Sequence, residues 1–197
     1  MATVVRWKDA HRASRYGYKY HAADIVAAIR SGKILVYPTD TIYGIGCNAL
    51  LGRSVQKVRR LKGTDHPFSV IAPSKQWIRD HLTVRFPEFL DKLPGPYTLI
   101  LPKPAAFLVD ASPSATLGVR IPNHPFTQLV RKAGVPLITT SANLSGQSPM
   151  KEIADIPAPF QKHVDLLIDA GRLDHLPSRI FDLTGLKPME TKRILRR

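Results

Sequence analysis

The chain has very little cysteine. Among its 197 residues, Cys47 is the single cysteine, so the chain cannot form an internal disulfide bond or a zinc site built on several thiolates. Such sparse use of cysteine is typical of proteins from reducing compartments. We therefore expect a cytoplasmic protein.

Long apolar runs are missing as well. No segment approaches the roughly 18 apolar residues of a membrane span, and the first 21 residues contain no apolar core of a signal peptide. We expect a soluble protein that has no membrane partner.

Acidic residues are few compared with basic ones. The 29 Lys and Arg residues oppose 15 Asp and Glu residues, which gives a formal net charge of +14 at pH 7. Such an excess attracts polyanions and phosphorylated ligands but says nothing about the fold. Nucleic acid is therefore the first partner to consider. The basic residues are densest at 57–62 and 192–197, and each cluster fits a solvated face about as well as a binding patch.

Several catalytic motifs are absent. The chain has no G-x-x-x-x-G-K-[ST] loop, and GIGCNA at 44–49 supplies only the first two glycines of a dinucleotide-binding fingerprint. Neither Ser141 nor Ser145 lies in a G-x-S-x-G elbow. The seven histidines are scattered and form no H-E-x-x-H motif. These absences argue against a P-loop NTPase, a Rossmann enzyme, a serine hydrolase and a dedicated metal site.

Short apolar runs rich in β-branched residues alternate with amphipathic segments. Strands are predicted to begin near residues 34, 68, 97, 116, 135, 164 and 179. Helices are predicted over residues 21–32, 53–63, about 75–93, and 124–133. No repeat or flexible linker interrupts the pattern, so we expect one domain over residues 1–197. Strands mixed with helices predict an α/β fold around a twisted, mixed sheet.

Two loops rich in hydroxyl groups follow predicted strands. Residues 39–43 (TDTIY) come after ILVY, which Pro38 ends, and residues 139–146 (TTSANLSG) come after PLI. Ligands of open α/β sheets bind in such loops, and hydroxyl groups can both donate and accept the hydrogen bonds that an amino acid or a nucleotide requires. Single residues of this kind more often cap turns. Composition alone makes a ligand-binding role and a turn-capping role about equally plausible.

Two cations stand next to these loops. Lys62 ends a predicted helix, and Arg120 lies in the apolar strand LGVRI. Because Val119 and Ile121 flank it, the side chain of Arg120 points to the opposite face of the strand. A buried guanidinium there must meet an anion, and its fork fits phosphate or carboxylate. A structural ion pair is the alternative, although the scarcity of acids makes a ligand phosphate at least as plausible.

Six segments together resemble the YrdC-like family, whose best-known members are threonylcarbamoyl-AMP synthases. They are YPTDTIYGIGCNA (37–49), KGTDHPFSVI (62–71), LPGPYTLIL (93–101), LGVRIPNHP (117–125), PLITTSANLSG (136–146) and RIFDLTG (179–185). The resemblance extends over about residues 20–196. It implies a single YrdC-like domain, in which helices flank an open, twisted, mixed sheet with a basic concave face.

The resemblance also implies an activity and its partners. A nucleotidyltransferase of this family converts ATP, L-threonine and bicarbonate to threonylcarbamoyl-AMP and pyrophosphate, with Mg²⁺ accompanying the nucleotide. The product serves the threonylcarbamoyladenosine modification of tRNA. Further partners implied are tRNA or double-stranded RNA and other tRNA-modification proteins.

The resemblance assigns roles to individual residues. Contact with threonine is implied for Thr39, Thr41, Tyr43, His66 and Ser178. Contact with the nucleotide is implied for Lys62, Arg120, Ser141, Asn143, Ser145 and Arg196. Lys62 and Arg120 are also the expected catalytic residues, since positioning and charge stabilisation carry this kind of phosphoryl chemistry without a protein nucleophile.

Two departures from the family pattern keep an alternative open. Thr64 stands where the family's K-x-R motif has arginine, so Arg59 or Arg60 would have to substitute for it. HPFSVI and PGPYTLIL are more similar to the YciO-type branch. The alternative is therefore a YciO-type paralogue that binds nucleotide or double-stranded RNA and has weak or no synthase activity. A generic basic RNA-binding protein would explain the charge but not the two hydroxyl-rich loops.

Overall fold

A computed structural model describes residues 2–7 and 21–191. Within them, ten strands form one sheet. The strands are β1 (Thr3–Arg6), β2 (Leu35–Tyr37), β3 (Gly44–Gly46), β4 (Ser69–Ile71), β5 (Tyr97–Pro102), β6 (Thr116–Arg120), β7 (Leu137–Ser141), β8 (Leu166–Asp169), β9 (Arg179–Asp182) and β10 (Met189–Thr191).

The sheet is mixed, in the order β1-β8-β2-β3-β7-β4-β6-β5-β9-β10. Strand β8 runs parallel to both β1 and β2, and the pairs β4/β6 and β5/β9 are also parallel. The remaining neighbours are antiparallel. The expected α/β fold with an open mixed sheet is confirmed.

Within residues 21–191, five α-helices and two short 3₁₀ helices connect the strands. They are α1 (Ala22–Arg30), α2 (Gly52–Lys62), α3 (Lys75–His81), α4 (Phe126–Ala133) and α5 (Ala158–His163), with 3₁₀ turns at Pro87–Lys92 and Ile153–Asp155. Gly63 and Gly134 end α2 and α4 in the left-handed conformation that glycine adopts without strain. No helix of the described residues is long and apolar enough to cross a membrane.

Helices pack on both faces of the sheet. On one face, α1 and α4 cover Leu35 and Tyr37 of β2, and the Tyr37 ring stacks on Phe126 at 4.6 Å between centroids. On the other face, α2 and α3 cover Val36 and its neighbours. Successive residues of a strand point to opposite faces, so the continuous apolar run of β2 contributes to both cores.

One predicted helix is wrong, and β3 is one of several short elements that were not predicted. The predicted helix over 75–93 is wrong, because α3 ends at His81 and only a 3₁₀ turn follows at Pro87–Lys92. Leu82 is already extended, and Pro87 has no amide hydrogen to continue a helix. Residues 44–46, predicted as loop, instead form β3 between β2 and β7.

Candidate functional site

A cavity opens where β2 and β7 end, beside the last residue of β6. Its wall is rich in small hydroxyl side chains, which surround the guanidinium of Arg120. Eight Ser or Thr residues line it: Thr39, Thr41, Ser69, Thr98, Thr139, Thr140, Ser141 and Ser178. Such a lining offers donors and acceptors in many directions, which suits a small polar ligand.

Arg120 forms a buried ion pair with Asp40. Its Nη2 atom lies 2.6 Å from Asp40 Oδ1, and the two side chains are only 7% and 10% exposed. Both terminal nitrogens also lie 3.3 Å from Thr41 Oγ1, and Asp40 Oδ2 accepts the backbone N–H of Asn123 at 2.8 Å. The anion expected next to Arg120 is thus present within the chain, in the same loop as the threonines. Arg120 still lines the cavity.

The loop after β2 is held in shape by its own hydroxyl groups. Thr39 Oγ1 donates to the Ile42 carbonyl at 2.7 Å and accepts the backbone N–H of Thr41 at 3.1 Å. The Thr39 and Thr41 hydroxyls are 2.9 Å apart. Both residues are buried and line the cavity, so the loop presents preorganised hydroxyls to a ligand.

The opposite wall of the cavity comes from β5 and the segment before β9. Ser178 Oγ and Thr98 Oγ1 are 2.9 Å apart, and Ser69 of β4 lies beside them in the lining. Ser69 and Thr98 were not predicted from the sequence. The available signal was a hydroxyl side chain within an apolar strand, in FSVIA and in YTLIL.

Lys62 lies behind the cavity and fastens the loop after β7. Its ammonium group donates to the carbonyl oxygens of Ser141 and Asn143, each at 2.6 Å, and to Asn143 Oδ1 at 3.0 Å. An ammonium has three hydrogens to donate, so this loop satisfies all of them. The side chain is 5% exposed. In this conformation Lys62 shapes the loop and does not line the cavity.

Asn143 completes the same network. Its Nδ2 atom donates to the carbonyl oxygens of Leu144 at 2.9 Å and Gln147 at 2.5 Å, while its Oδ1 atom accepts from Lys62. Asn143 therefore stabilises the turn, and Ser141 is the member of the S-x-N sequence that lines the cavity.

Tyr43 fixes the cavity wall from behind. Its hydroxyl donates to the Gly171 carbonyl at 2.7 Å and accepts the Ala170 N–H at 3.0 Å. Burial raises the pKa of the Tyr43 phenol to about 12. The phenol thus joins β3 to the end of β8 and stays protonated at neutral pH.

Besides Lys62 and Asn143, two of the expected site residues do not line the cavity, and a third falls outside the described residues. His66 and Ser145 are exposed and do not belong to the cavity lining. Arg196 lies outside the described residues. No group of three or more His, Cys, Asp or Glu side chains within residues 2–7 and 21–191 could hold a metal ion.

Neither Arg59 nor Arg60, the two arginines that would have to substitute for the missing K-x-R arginine, lines the cavity. Arg59 Nη1 donates to the His66 carbonyl at 2.9 Å, and its Nη2 donates to the Asp110 carbonyl at 2.8 Å. Its guanidinium lies over Phe68, 4.6 Å from the ring centroid. Arg59 therefore connects α2 to the segments that contain His66 and Asp110. Arg60 lines a different groove, between α2 and α5. Neither arginine supplies the cavity with a cation.

The fold and the cavity define an α/β protein with a hydroxyl-lined cavity at its strand ends. Residues 27–197 match the family model Sua5_yciO_yrdC, described as "Telomere recombination". The chain belongs to this family. The threonylcarbamoyl-AMP synthase of Bos taurus is 36% identical over 171 residues, which are 84% of this chain and 58% of that protein. The chain thus spans a little under three fifths of the length of this relative.

Two solved structures show the same fold. P. abyssi Sua5 complexed with L-threonine superposes with a TM-score of 0.80 at 26% identity, covering 96% of this chain and 56% of that one. E. coli YciO superposes with a TM-score of 0.79 at 24% identity and covers 98% and 96% of the two chains.

Proposed function

We propose that the chain is a threonylcarbamoyl-AMP synthase. In the reaction, L-threonine, bicarbonate and ATP give threonylcarbamoyl-AMP, pyrophosphate and water. The observation that carries this proposal is the cavity itself, in which eight small hydroxyl side chains surround one buried arginine. Its shape and chemistry suit a small, zwitterionic, hydroxylated substrate better than an apolar one.

The amino acid is assigned to the hydroxyl-lined cavity. Thr39 and Thr41 would hold threonine from the loop after β2, and Ser178 would hold it from the opposite wall. Tyr43, which also lines the cavity, is held by its hydrogen bonds to Ala170 and Gly171. A relative of the same fold, P. abyssi Sua5, has been solved with L-threonine, which supports an amino-acid site in this fold.

The nucleotide is assigned to the mouth of the cavity, next to Arg120 and Ser141. The threonine amine and bicarbonate form a carbamate, whose oxygen attacks the α-phosphorus of ATP and displaces pyrophosphate. Arg120 would stabilise the charge that develops on the phosphate oxygens, and Mg²⁺ would enter with ATP. Asn143, Ser145 and Lys62 would act through the loop after β7, whose shape Lys62 fixes.

The wider biological setting follows from the activity. A threonylcarbamoyl-AMP synthase supplies the threonylcarbamoyl group for threonylcarbamoyladenosine in tRNA. We therefore propose cytoplasmic action together with other tRNA-modification proteins, which would transfer the group.

A second candidate is a YciO-type nucleotide-binding or RNA-binding paralogue with weak or no synthase activity. A specific observation favours it. Thr64 replaces the K-x-R arginine, and neither Arg59 nor Arg60 reaches the cavity. Arg120 is then the only Lys or Arg side chain in the cavity lining among the described residues.

Pyrophosphate release separates the two candidates. The protein is incubated with ATP, Mg²⁺ and bicarbonate, with and without L-threonine. The synthase proposal predicts release that requires threonine and that Arg120→Ala abolishes. Ser178→Ala serves as a second variant, because it removes one half-buried hydroxyl and leaves the ion pair intact. It should raise the KM for threonine. Absence of threonine-dependent release from the folded protein would favour the YciO-type alternative.

A further inference from the structure

The face of the sheet itself forms the floor of the cavity, and Ser69 belongs to this floor. Thr139, Ser69 and Gly118 are register partners on the neighbouring strands β7, β4 and β6. Register partners on neighbouring strands point to the same face of a sheet. Ser69 is half-buried and lines the cavity. Its side chain therefore faces the space that a ligand would occupy.

The hydroxyl group of Ser69 is not used by the chain. Over residues 2–7 and 21–191, it has no hydrogen-bond partner. By contrast, the hydroxyls of Thr39 and Thr41 form hydrogen bonds within their own loop, and those of Thr98 and Ser178 lie 2.9 Å from each other. Ser69 thus offers a ligand both a hydrogen to donate and lone pairs that can accept.

Gly118 makes room for this hydroxyl group. A Cβ atom on Gly118 would overlap Ser69 Oγ and would lie 3.5 Å from the methyl group of Thr98. The missing side chain therefore leaves a recess in the floor, bordered by a hydroxyl group on one side and a methyl group on the other. A hydroxyl and a methyl group are also the two substituents that the side chain of threonine carries on its Cβ atom.

We propose that Ser69 determines specificity, because its hydroxyl group recognises the side-chain hydroxyl of the amino-acid substrate. This inference rests on the proposed function. In that reaction the amine must face the nucleotide at the mouth of the cavity, which leaves the side chain to meet the floor.

The chemistry of the cavity favours a hydroxyl group as the partner of Ser69. Anionic groups are better served by the guanidinium of Arg120 in the same lining, because a charged donor makes the stronger hydrogen bond to them. A ligand hydroxyl both donates and accepts, as the free hydroxyl of Ser69 does. Valine would place a methyl group against Ser69 and leave its hydroxyl unpaired.

Ser69→Ala tests the proposal, with Ser114→Ala as the matched control. Both variants lose one serine hydroxyl, but Ser114 is exposed and does not belong to the cavity lining. Isothermal titration calorimetry measures the affinity of each protein for L-threonine and for L-valine. No ATP is added, so the readout does not depend on synthase activity.

The expected result is a smaller preference for threonine. Ser69→Ala should bind threonine about tenfold more weakly than the wild type, because one hydrogen bond is lost. Its affinity for valine should stay within about twofold of the wild type, because valine makes no such bond. Ser114→Ala should keep the wild-type preference.

A second variant keeps the hydroxyl group but moves it. Gly118→Ala adds a methyl group where Ser69 Oγ lies, so we expect it to reduce the preference for threonine as Ser69→Ala does. Urea unfolding establishes that each variant is folded before it is titrated. A wild-type preference in folded Gly118→Ala would show that the position of the Ser69 hydroxyl is unimportant and would contradict the proposal.

Three further results would overturn the proposal. An unchanged preference in Ser69→Ala would show that its hydroxyl does not recognise the ligand. Equal losses of affinity for threonine and valine would show that Ser69 contacts a group common to both, such as the carboxylate. A wild-type protein that binds threonine no better than valine, or not at all, would leave no hydroxyl recognition for Ser69 to provide.

The proposed synthase activity is judged separately, by threonine-dependent pyrophosphate release. If the preference for threonine depends on Ser69 but no pyrophosphate is released, the inference stands and the synthase proposal fails. If pyrophosphate is released but Ser69→Ala keeps the wild-type preference, the synthase proposal stands and the inference fails.

Discussion

At the scale of single residues, the buried cations of the site serve different purposes. Arg120 pairs with Asp40 and lines the cavity, whereas Lys62 uses its ammonium group to hold the loop after β7. Charged groups that are buried as deeply as these are tolerated only when opposite charges or hydrogen-bond partners are well placed around them. The Arg120–Asp40 ion pair and the hydrogen bonds of Lys62 therefore each lead to a separate prediction.

Removal of Asp40 should destabilise the fold. Asp40→Ala leaves the buried guanidinium of Arg120 without its carboxylate, and breaking a buried pair in this way costs roughly 3 to 5 kcal/mol. Adding Arg120→Met to Asp40→Ala removes the uncompensated charge and should restore part of that loss. Unfolding in urea measures all three proteins. A cost below about 1 kcal/mol for Asp40→Ala would show that the ion pair matters little.

Removal of the Lys62 ammonium should loosen the loop after β7. Lys62→Met keeps most of the length of the side chain but leaves the two acceptors of Asn143 without a donor, while the Ser141 carbonyl keeps only the Asn143 N–H. This should cost roughly 3 kcal/mol. The control is Lys57→Met on the same helix, which is exposed and should cost no more than about 0.5 kcal/mol. Hydrogen exchange of amides 142–147 should accelerate in Lys62→Met alone. Equal exchange in both variants would contradict the structural role of Lys62.

Sequence reasoning found several of the important side chains but not their partners. The hydroxyl-rich loops and Arg120 could be recognised because their chemistry is unusual for the strands that carry them. Asp40 was not recognised as the partner of Arg120, because 80 positions separate them in the chain and only the sheet brings them together. The contact of Lys62 with residues 141–143 could not be recognised either, because 79 positions separate Lys62 from Ser141 in the chain. Without knowledge of that contact, Lys62 suggests a cation that binds a phosphate ligand.

At the scale of secondary-structure elements, β3 is the strand that connects β2 to β7 in the sheet. It pairs with β2 on one side and with β7 on the other. A Cβ atom on Gly46 would overlap the carbonyl oxygen of Ile138, so glycine is required for the close approach of β3 and β7.

Substitution of Gly46 should disturb this junction. Gly46→Ala forces the two strands apart, and we expect it to cost roughly 3 kcal/mol or to prevent folding. Gly134→Ala is the comparison, since no atom lies within 4 Å of the added methyl group and only the left-handed backbone opposes it, at about 1 kcal/mol. Similar stabilities of the two variants would show that the β3–β7 approach is not tight.

The predicted elements were correct where periodicity was strong. Helices α1, α2 and α4 fall within two residues of their predicted bounds, because their apolar spacing is clear and a glycine ends α2 and α4. The strand β3 could not be predicted, since a glycine-rich segment resembles a loop and only its neighbours make it a strand. Helix α5 and the edge strands β1 and β10 were not predicted either. They are short, and like β3 they depend on contacts with neighbouring elements.

At the scale of the whole molecule, the core makes stability depend on pH in the alkaline range. Burial raises the pKa of the Cys47 thiol to about 12 and that of the Tyr43 phenol to about 12. Unfolded, these groups ionise near about 8.5 and 10. The folded chain therefore binds more protons above these values, so the stabilisation is complete below about pH 8.5 and is lost as the pH rises toward 12.

Urea unfolding at a series of pH values tests this dependence. Between about pH 8 and pH 10, the Cys47 thiol should account for a loss of roughly 1 to 2 kcal/mol, and Cys47→Ala should show a correspondingly shallower decline. The same slope in wild type and variant would mean that Cys47 does not contribute. Slow reaction of the native thiol with an alkylating reagent, compared with the unfolded chain, provides a second check.

The sheet order also belongs to this scale, and it could not be read from the sequence. The mixed α/β class follows from the alternation of strands and helices, but the placement of β8 between β1 and β2 depends on packing between distant segments. That placement brings Gly171 to Tyr43 and thereby closes the back of the cavity.

Under the proposed function, the hydroxyl-lined cavity binds threonine for an ATP-dependent synthase. Pyrophosphate release with L-threonine, compared with L-valine, tests it most directly, because the two amino acids have nearly the same shape and differ in one hydroxyl group. A cavity built to hydrogen-bond that hydroxyl should discriminate against valine by about 10⁴ in kcat/KM. Equal release with valine, or release without any amino acid, would contradict the account.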